Sequence, residues 1–444
     1  MLKALIADRA AIYGVMTKVA QGAAGLTTVI FIVRYFSPEI QGYYYTFSNL
    51  LALQVFLELG LSGVITTFAA HEWAKLSLDR EGALRGDPGA LSRLKSLTHK
   101  VAKWYLFGGL LFLVLLVAVG LWFFSVRAGS DAVSWKYPWL SMCFVAAVNF
   151  MIAPAWALLT GCGQMATLNA FRLADTVVRY GLLWGCMALG ASLWSAVGAL
   201  AASTIAGCVF LLVRYRRFLG VLMTPATSGQ IDWFRELAPL QFRIAVSWIS
   251  GYFAFSVFVP IMFHFRGAED AGRMGMTWAF VAGLSGIAGT WLQVQAPRFS
   301  VMVARKEFMA LDGAAWRTAL ISVAIFALGG GIGLGGLLLL GIHRPDIADR
   351  LLPVGSVAVF LFAELLHQVS MVQSTYLRSF KQEPFLGVSV VSGIVIGGGT
   401  LILTHLLGAF GPAVSYLLGV VAALGWGTAI FVANRKQWTA PVQQ

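Results

Sequence analysis

The chain has 444 residues, of which 59% are hydrophobic and only 11% charged, with a mean hydropathy of +0.78. That composition excludes a soluble globular enzyme of this size and places most of the mass in a bilayer. The formal net charge of +13 needs no nucleic acid to account for it, because basic loops facing an anionic inner leaflet give the same excess.

In chain order, twelve apolar stretches are predicted as membrane-spanning helices, at residues 11–33, 43–70, 104–126, 138–160, 172–190, 195–213, 237–264, 274–297, 317–341, 351–377, 385–407 and 412–433. Their lengths suit a hydrocarbon core about 30 Å thick. The first has no small-residue cleavage site and is followed by eleven more, so it is expected to be an anchor rather than a removable signal. An even number of spans puts both termini on one side. Of the 32 Lys and Arg, 22 fall in segments on the side of the termini, 7 in the opposite loops, and Lys18, Arg179 and Arg243 within spans. Basic loops mark the cytoplasmic side, so both termini are expected there.

The longest internal polar segments are 71–103 and 214–236, and the second follows the sixth span near the chain midpoint. It divides the chain into an N-terminal six-helix bundle, 1–220, and a C-terminal one, 221–444. Because each half holds an even number of spans, a duplication would relate them by a pseudo-two-fold along the membrane normal. Glu39-Ile40-Gln41-Gly42 and Glu269-Asp270-Ala271-Gly272 echo one another at the matching outer loops, 230 residues apart. Within 71–103, a turn at Gly86-Asp87-Pro88-Gly89 precedes Leu91, Leu94, Leu97 and Val101 at helical spacing. That is an amphipathic helix, either lying on the inner leaflet or packed on the bundle ends. Pro154, well inside the fourth span, is the best placed residue for a kink.

The sharpest signal is the ionisable set at membrane depth: Lys18, Glu58, Asp175, Arg179, Arg243, Glu364 and His367. Each charge at a helix centre costs ~3 kcal/mol on insertion scales, so these side chains should face a bundle interior or a watered cavity. Lys18, Arg179 and Arg243, with Arg298 near the inner end of the eighth span, would suit an anionic substrate such as a pyrophosphate, Arg holding its oxygens bidentately and Lys acting as a point charge. Against this, Asp175 and Arg179 stand four apart on one helix and can neutralise each other, and Arg243 is near enough to its inner end to snorkel. Glu58, Glu364 and Asp175 are candidates for proton or sodium coupling, or partners for the buried cations. Asn49, Gln54, Asn149, Gln293, Gln295 and Gln373 either line a sugar path or join helix to helix.

Four widely spaced cysteines make neither a disulfide framework nor a metal site, and no phosphate-binding G-x-x-x-x-G-K-[ST] loop or hydrolase motif is present. No catalytic residue, metal or cofactor is expected, and transport would draw on an ion gradient or the substrate's own gradient.

The run Arg34-Tyr35-Phe36-Ser37-Pro38-Glu39-Ile40-Gln41-Gly42-Tyr43-Tyr44-Tyr45-Thr46, ahead of Leu57-Glu58-Leu59-Gly60-Leu61, resembles bacterial polysaccharide flippases of the O-antigen exporter type, in the multidrug/oligosaccharidyl-lipid/polysaccharide exporter superfamily. The motif covers the first two spans, and the span count and midpoint linker match over the whole chain. The resemblance implies two six-helix bundles around a cationic cavity in the bacterial inner membrane. It implies movement of an undecaprenyl-diphosphate-linked oligosaccharide, an O-antigen or capsule unit, to the periplasmic leaflet, beside a polysaccharide polymerase and a chain-length regulator. Lys18 and Arg243 stand where family members commonly carry basic residues. The lipid II flippases of the superfamily have two further helices for which this chain has no room.

Two other readings stay open. An ion-coupled drug or metabolite antiporter of the same fold should carry an acidic cavity for cations, whereas basic residues are here at least as prominent. A membrane enzyme of lipid-linked sugar assembly should present a long outer loop with catalytic residues, and the outer loops here are short.

Overall fold

In bulk hydrocarbon no water can satisfy a free backbone N–H or C=O, so a chain this apolar must close its hydrogen bonds within helices. The computed structural model describes residues 9–78, 84–127, 133–226, 231–380 and 382–439. Its helices are α1 (Arg9–Tyr35), α2 (Pro38–Leu51), α3 (Leu61–Trp73), α4 (Pro88–Arg127), α5 (Lys136–Gly161), α6 (Met165–Ala188), α7 (Trp194–Arg214), α8 (Arg216–Leu222), α9 (Ala238–Phe255), α10 (Phe258–Arg266), α11 (Ala268–Ala304), α12 (Phe308–His343), α13 (Pro345–Ala348), α14 (Val354–Arg378), α15 (Leu386–Leu407) and α16 (Gly411–Thr439). A two-stranded antiparallel ribbon, β1 (Leu76–Leu78) with β2 (Leu84–Gly86), is the one departure from an all-α chain among the described residues.

Seven stretches are long and apolar enough to cross a membrane, the last of them, Leu386–Trp438, holding both α15 and α16. Two bent pairs raise the number to nine, and α6 and α11 complete twelve span elements in the expected order. The breaks are not at the predicted place. Pro154 lies inside α5, which runs unbroken, and Pro297 lies inside α11, which continues seven residues past it to Ala304. The second span instead bends by 50° where Leu59 and Gly60 are both left-handed, at φ 49° and 66°. For Leu, unlike Gly, that conformation costs on the order of 1 kcal/mol. The seventh bends by 41° between α9 and α10, where the ring of Pro260 denies a helical place to the carbonyl of Ser256 four residues before it.

The chain divides into two compact units, one of Met1–Phe36 with Leu50–Ile249, the other of Ser37–Asn49 with Ser250–Gln444. Of the three points where the chain passes from one unit to the other, the first lies between α1 and α2 and the other two fall inside the broken spans, so the start of the second span belongs with the C-terminal helices and the start of the seventh with the N-terminal ones.

In the first unit, α1 packs along α6, α5 against α3, α4 and α7, and α6 against α7. The amphipathic segment forms no separate surface helix. It is the first part of the 40-residue α4, with Leu94, Leu97 and Val101 fully buried, which is the packed alternative. The midpoint linker docks on it. Lys100 donates to the Ile231 carbonyl, the Ile231 amide donates to Ser96 Oγ at 3.3 Å, and Arg93 bridges Glu72 at 2.8 Å and Glu236 at 2.5 Å. Asp232 accepts from the amides of Phe234 and Arg235, while Glu236 reaches back to the Asp232 amide at 2.8 Å, a reciprocal cap that starts the helical turn leading into α9.

In the second unit, the two Glu-x-x-Gly motifs meet. A Cβ on Gly42 would sit 1.8 Å from the Ala268 carbonyl oxygen, and one on Gly272 would sit 2.9 Å from the Gly42 nitrogen, so only glycine allows the backbones this close. Gln41 seals the seam, donating to the carbonyls of Gly272 at 2.8 Å and Arg350 at 3.1 Å.

The Arg93 clamp makes a pH prediction. The hydrogen bond from Arg93 holds the Glu236 carboxyl below the usual carboxylate range. A depressed folded value means the stabilisation is whole above the unfolded value of about 4.3 and is lost as pH falls through the folded one. Arg93→Ala is expected to cost about 1 kcal/mol near neutrality, more if the buried Glu72 is left unpaired. Melting curves of the two proteins in detergent should differ at pH 7 and converge in acid; a gap independent of pH would show that the ion pairs contribute nothing.

Candidate functional site

The in-span charges lie in three settings. In the second unit, Glu364 of α14 is 3% exposed. Its Oε1 accepts from Ser285 Oγ of α11 at 2.5 Å and from Gln368 Nε2 at 3.2 Å, and its Oε2 accepts from the Tyr416 hydroxyl of α16. Gln368 also donates to Ser285 Oγ at 2.9 Å. Three helices are thereby tied to one carboxyl, and no cation pairs with it among the described residues. The aromatic rings of Trp278, Phe258 and Phe360 surround Tyr416, with centroids 5.3, 5.9 and 5.8 Å away, and they keep the cluster dry. A carboxyl held by three donors and paired with no cation among the described residues is a place where a small cation could be accepted.

In the first unit, Glu58 ends the short turn Val55–Glu58 just before the left-handed break. It is buried and accepts from Ser62 Oγ across the break at 2.5 Å, with the Tyr105 hydroxyl 3.3 Å from Ser62 Oγ. Glu58 thus pins the bend, a role its place in the sequence did not suggest. Neither Glu58 nor Glu364 is an ion-pair partner of Lys18, Arg179 or Arg298 among the described residues.

The cations are spread. Lys18 on α1 is exposed and has no ion-pair or hydrogen-bond partner among the described residues. Arg179 on α6 lays its guanidinium 4.8 Å from the Tyr180 ring centroid, and its Nε is buried without a hydrogen-bond partner. The neutralising pair four residues apart does not form, because Asp175 Oδ2 instead accepts from Ser203 Oγ of α7 at 2.9 Å. Arg243 lies on α9, its side chain outside the described residues. Arg298 belongs to the second unit, is exposed, and donates to Gln295 Oε1 at 3.2 Å. Lys18 and Arg179 are thus in one unit, on helices that pack together, and Arg298 is in the other.

A cavity of about 440 Å³ opens in the first unit between α3, α5, α6 and α7, lined by Asn149, Trp156, Phe171, Arg172, Asp175 and Ser203 among others. Of the polar residues expected on a sugar path, Asn149 is here. Asn49 bonds its own helix at the Tyr45 carbonyl, and Gln373 joins α14 to α16 through Thr428 at 3.0 Å. Trp156 and Phe171 carried no signal in the sequence, since aromatic residues in a span read as packing.

The sequence matches no known family profile and no curated protein. Among solved structures, the fold is similar to the inward-facing conformation of a multidrug resistance MATE family transporter of the MOP superfamily, with a TM-score of 0.67 and 12% identity over 96% of each chain. It is also similar to the lipid II flippase MurJ in an inward closed conformation, with a TM-score of 0.68 and 11% identity over 96% of this chain and 90% of that one. A third is a MOP superfamily transporter from Pyrococcus furiosus, described as having a binding pocket of reversed polarity, with a TM-score of 0.55 and 14% identity over 96% and 95%. At these identities the likeness establishes the fold, that of MOP superfamily transporters with about twelve membrane helices.

The Glu364 cluster is testable in isolation. Tyr416→Phe withdraws one donor and should lower stability by about 1–3 kcal/mol, as for a buried charged or polar group left short of a partner. Glu364→Gln should remove any response of transport to pH or sodium. An unchanged ion response together with lost stability would leave the cluster as a helix-joining device.

Proposed function

We propose that the chain is a bacterial inner-membrane flippase that moves a lipid-diphosphate-linked oligosaccharide, such as an O-antigen or capsule repeat unit, from the cytoplasmic to the periplasmic leaflet by alternating access, with both termini cytoplasmic. The observation that carries this reading is the pair of unneutralised cations in the first unit. Lys18 is unpartnered among the described residues, and Arg179 keeps a buried, unbonded Nε. A buried guanidinium nitrogen without a partner, as in Arg179, is unfavourable unless an acceptor completes it, the exposed Lys18 adds a free positive charge on the helix packed beside it, and a diphosphate offers the charge and the oxygen fork a guanidinium fits. Arg243 and Arg298 are proposed to meet the same substrate at another stage of the cycle, and a polymerase and a chain-length regulator are proposed to act on its product.

A cation-exporting antiporter is the second reading, and the Glu364 cluster is what favours it. It leaves the two bare cations without a role, since they would repel a cationic drug. Ion coupling through Glu364, Glu58 or Asp175 is compatible with either cargo.

The glycine seam suits a closure of the outer side. It holds closely apposed backbones tied by the Gln41 side chain, and by the charge count it lies at the outer loops. Gly272→Leu should force its side chain against Gly42 and Pro38 and hold the seam apart. A cysteine at the buried Thr46 should then react faster with an impermeant maleimide applied from outside, while flux falls; slow labelling with normal flux would remove the seam from the mechanism.

The central test is translocation in liposomes of a polyprenyl-diphosphate oligosaccharide, scored by its accessibility to an impermeant probe. Lys18→Ala and Arg179→Ala should each slow movement by about 10-fold or more, the size expected on losing a charge-assisted bond, with expression and melting temperature intact. Wild-type rates in both variants, or export of a cationic dye driven by a proton or sodium gradient instead, would transfer the conclusion to the antiporter.

A further inference from the structure

The cavity in the first unit has a chemistry distinct from that of the two bare cations. One wall is aromatic. Trp156 and Phe171 stack with centroids 5.4 Å apart and planes within 19°, and Phe210 backs Phe171 at 4.3 Å. The other walls are polar, and their bonding capacity is only partly used. Among the described residues Asp175 accepts a single hydrogen bond, from Ser203. The Asn149 amide donates to Thr204 Oγ1 at 3.2 Å, and its carbonyl has no partner among the described residues. Arg172 donates one N–H to Asn169 Oδ1 at 3.3 Å and keeps the rest of its five donors.

These groups select a ligand class by elimination. An acyl chain would leave a carboxylate, an amide and a guanidinium unsatisfied. A diphosphate would meet the Asp175 carboxylate. A cationic drug would meet Arg172, which offsets that carboxylate. A pyranose fits all of them: its C–H face lies on a flat ring while its hydroxyls donate to the carboxylate and the amide carbonyl and accept from the guanidinium. The volume of about 440 Å³ lies toward the lower end of small-ligand sites, so a single sugar or a short glycan is the scale it suits.

We propose that this cavity is a glycosyl-binding subsite, with Asp175, Asn149 and Arg172 as its hydrogen-bonding residues and Trp156 as its stacking platform. Its place in transport rests on the flippase reading. Asp175 and Arg179 stand one helical turn apart on α6, about 6 Å along the axis. A diphosphate at Arg179 therefore puts the first sugar at the level of Asp175 and the next toward Arg172. This explains why Asp175 bonds Ser203 and not the nearby arginine: the two ends of one substrate are read by neighbouring turns of the same helix.

The test separates the two claims by using two probes on the full chain in nanodiscs. The first is a panel of free mono- and disaccharides covering neutral hexoses, N-acetylhexosamines and uronic acids, read by tryptophan fluorescence. The second is polyprenyl diphosphate carrying no sugar, read by direct binding. At least one saccharide should bind saturably, and Asp175→Asn and Asn149→Leu should each weaken it 10-fold or more, while the bare lipid diphosphate binds the Asn149 variant as it does the wild type and the Asp175 variant at least as tightly. Trp156→Phe should remove much of the fluorescence change. Lys18→Ala should do the reverse of the cavity variants, weakening the bare lipid and sparing the saccharide. The subsite is overturned if no saccharide binds, if both cavity variants bind it as the wild type does, or if they lose the bare lipid equally. Failure of the wild type to bind the bare lipid diphosphate would instead count against the flippase reading, and the saccharide titration would still decide the cavity.

Discussion

Every feature of interest here follows from the cost of placing polar and charged groups where no water can reach them. That cost closes the backbone into twelve span elements, and it also decides what each buried ionisable side chain must do. Glu364 is satisfied by three donors from three helices, and Glu58 by a hydroxyl on the far side of a broken helix. Both carboxyls are therefore integrated into the packing. Among the described residues two of the cations are not: the exposed Lys18 has no partner, and Arg179 has a ring face and one buried, unbonded nitrogen. Two carboxyls answered from within and a guanidinium nitrogen left buried and unanswered make an asymmetry that packing alone does not account for.

The same constraint makes the two broken spans informative. A helix in hydrocarbon resists interruption, since each break frees backbone groups that need new partners. The second span nonetheless tolerates two successive left-handed residues, one of them Leu59, and the seventh tolerates an interruption ahead of Pro260. Both spans contribute to two compact units rather than one. In each, the bend follows within about ten residues of the point where the chain passes from one unit to the other, which makes the bends natural points for the chain to flex. Glu58, bonded across the first of them, connects a titratable group to that flexion.

Much of the fold was legible because hydropathy and loop charge act through composition, averaged over some twenty residues at a time. The twelve spans and the helical spacing at 91–101 have signals of that length. The breaks had none. A proline marks a local conflict with a helix, but whether the helix yields depends on what surrounds it: α5 absorbs Pro154 and α11 absorbs Pro297, while the second span breaks at Leu59-Gly60 with no proline near. The site was legible by residue type and illegible by partner. Charge inside a span singled out Glu58, Asp175, Arg179 and Glu364, which are buried or part-buried, and Lys18, which is exposed, while spacing four residues apart suggested an Asp175–Arg179 pair that the structure replaces with Asp175–Ser203. Serine and tyrosine at 62, 285 and 416 are ordinary in membrane helices, so nothing in one sequence distinguishes a hydroxyl that serves a carboxylate from one that bonds its own backbone. The Glu-x-x-Gly echo was the converse case, a weak pattern at a distance of 230 residues whose two copies turn out to touch.

The arrangement on α6 bears most directly on cargo. A site for a compact cation would place its acid where it could be desolvated and unopposed, as Glu364 is; Asp175, by contrast, shares its cavity with Arg172 and a flat aromatic wall. A site for an inorganic or lipid diphosphate alone would need the cations and would have no use for Asp175, whose charge opposes the ligand within one turn of Arg179. On the flippase reading, a ligand that is anionic at one end and rich in hydroxyls at the other makes Asp175 and Arg179 both favourable. A sugar joined through a diphosphate to a lipid has that order of groups, and it accounts for cations and carboxylate on a single helix without requiring either to neutralise the other.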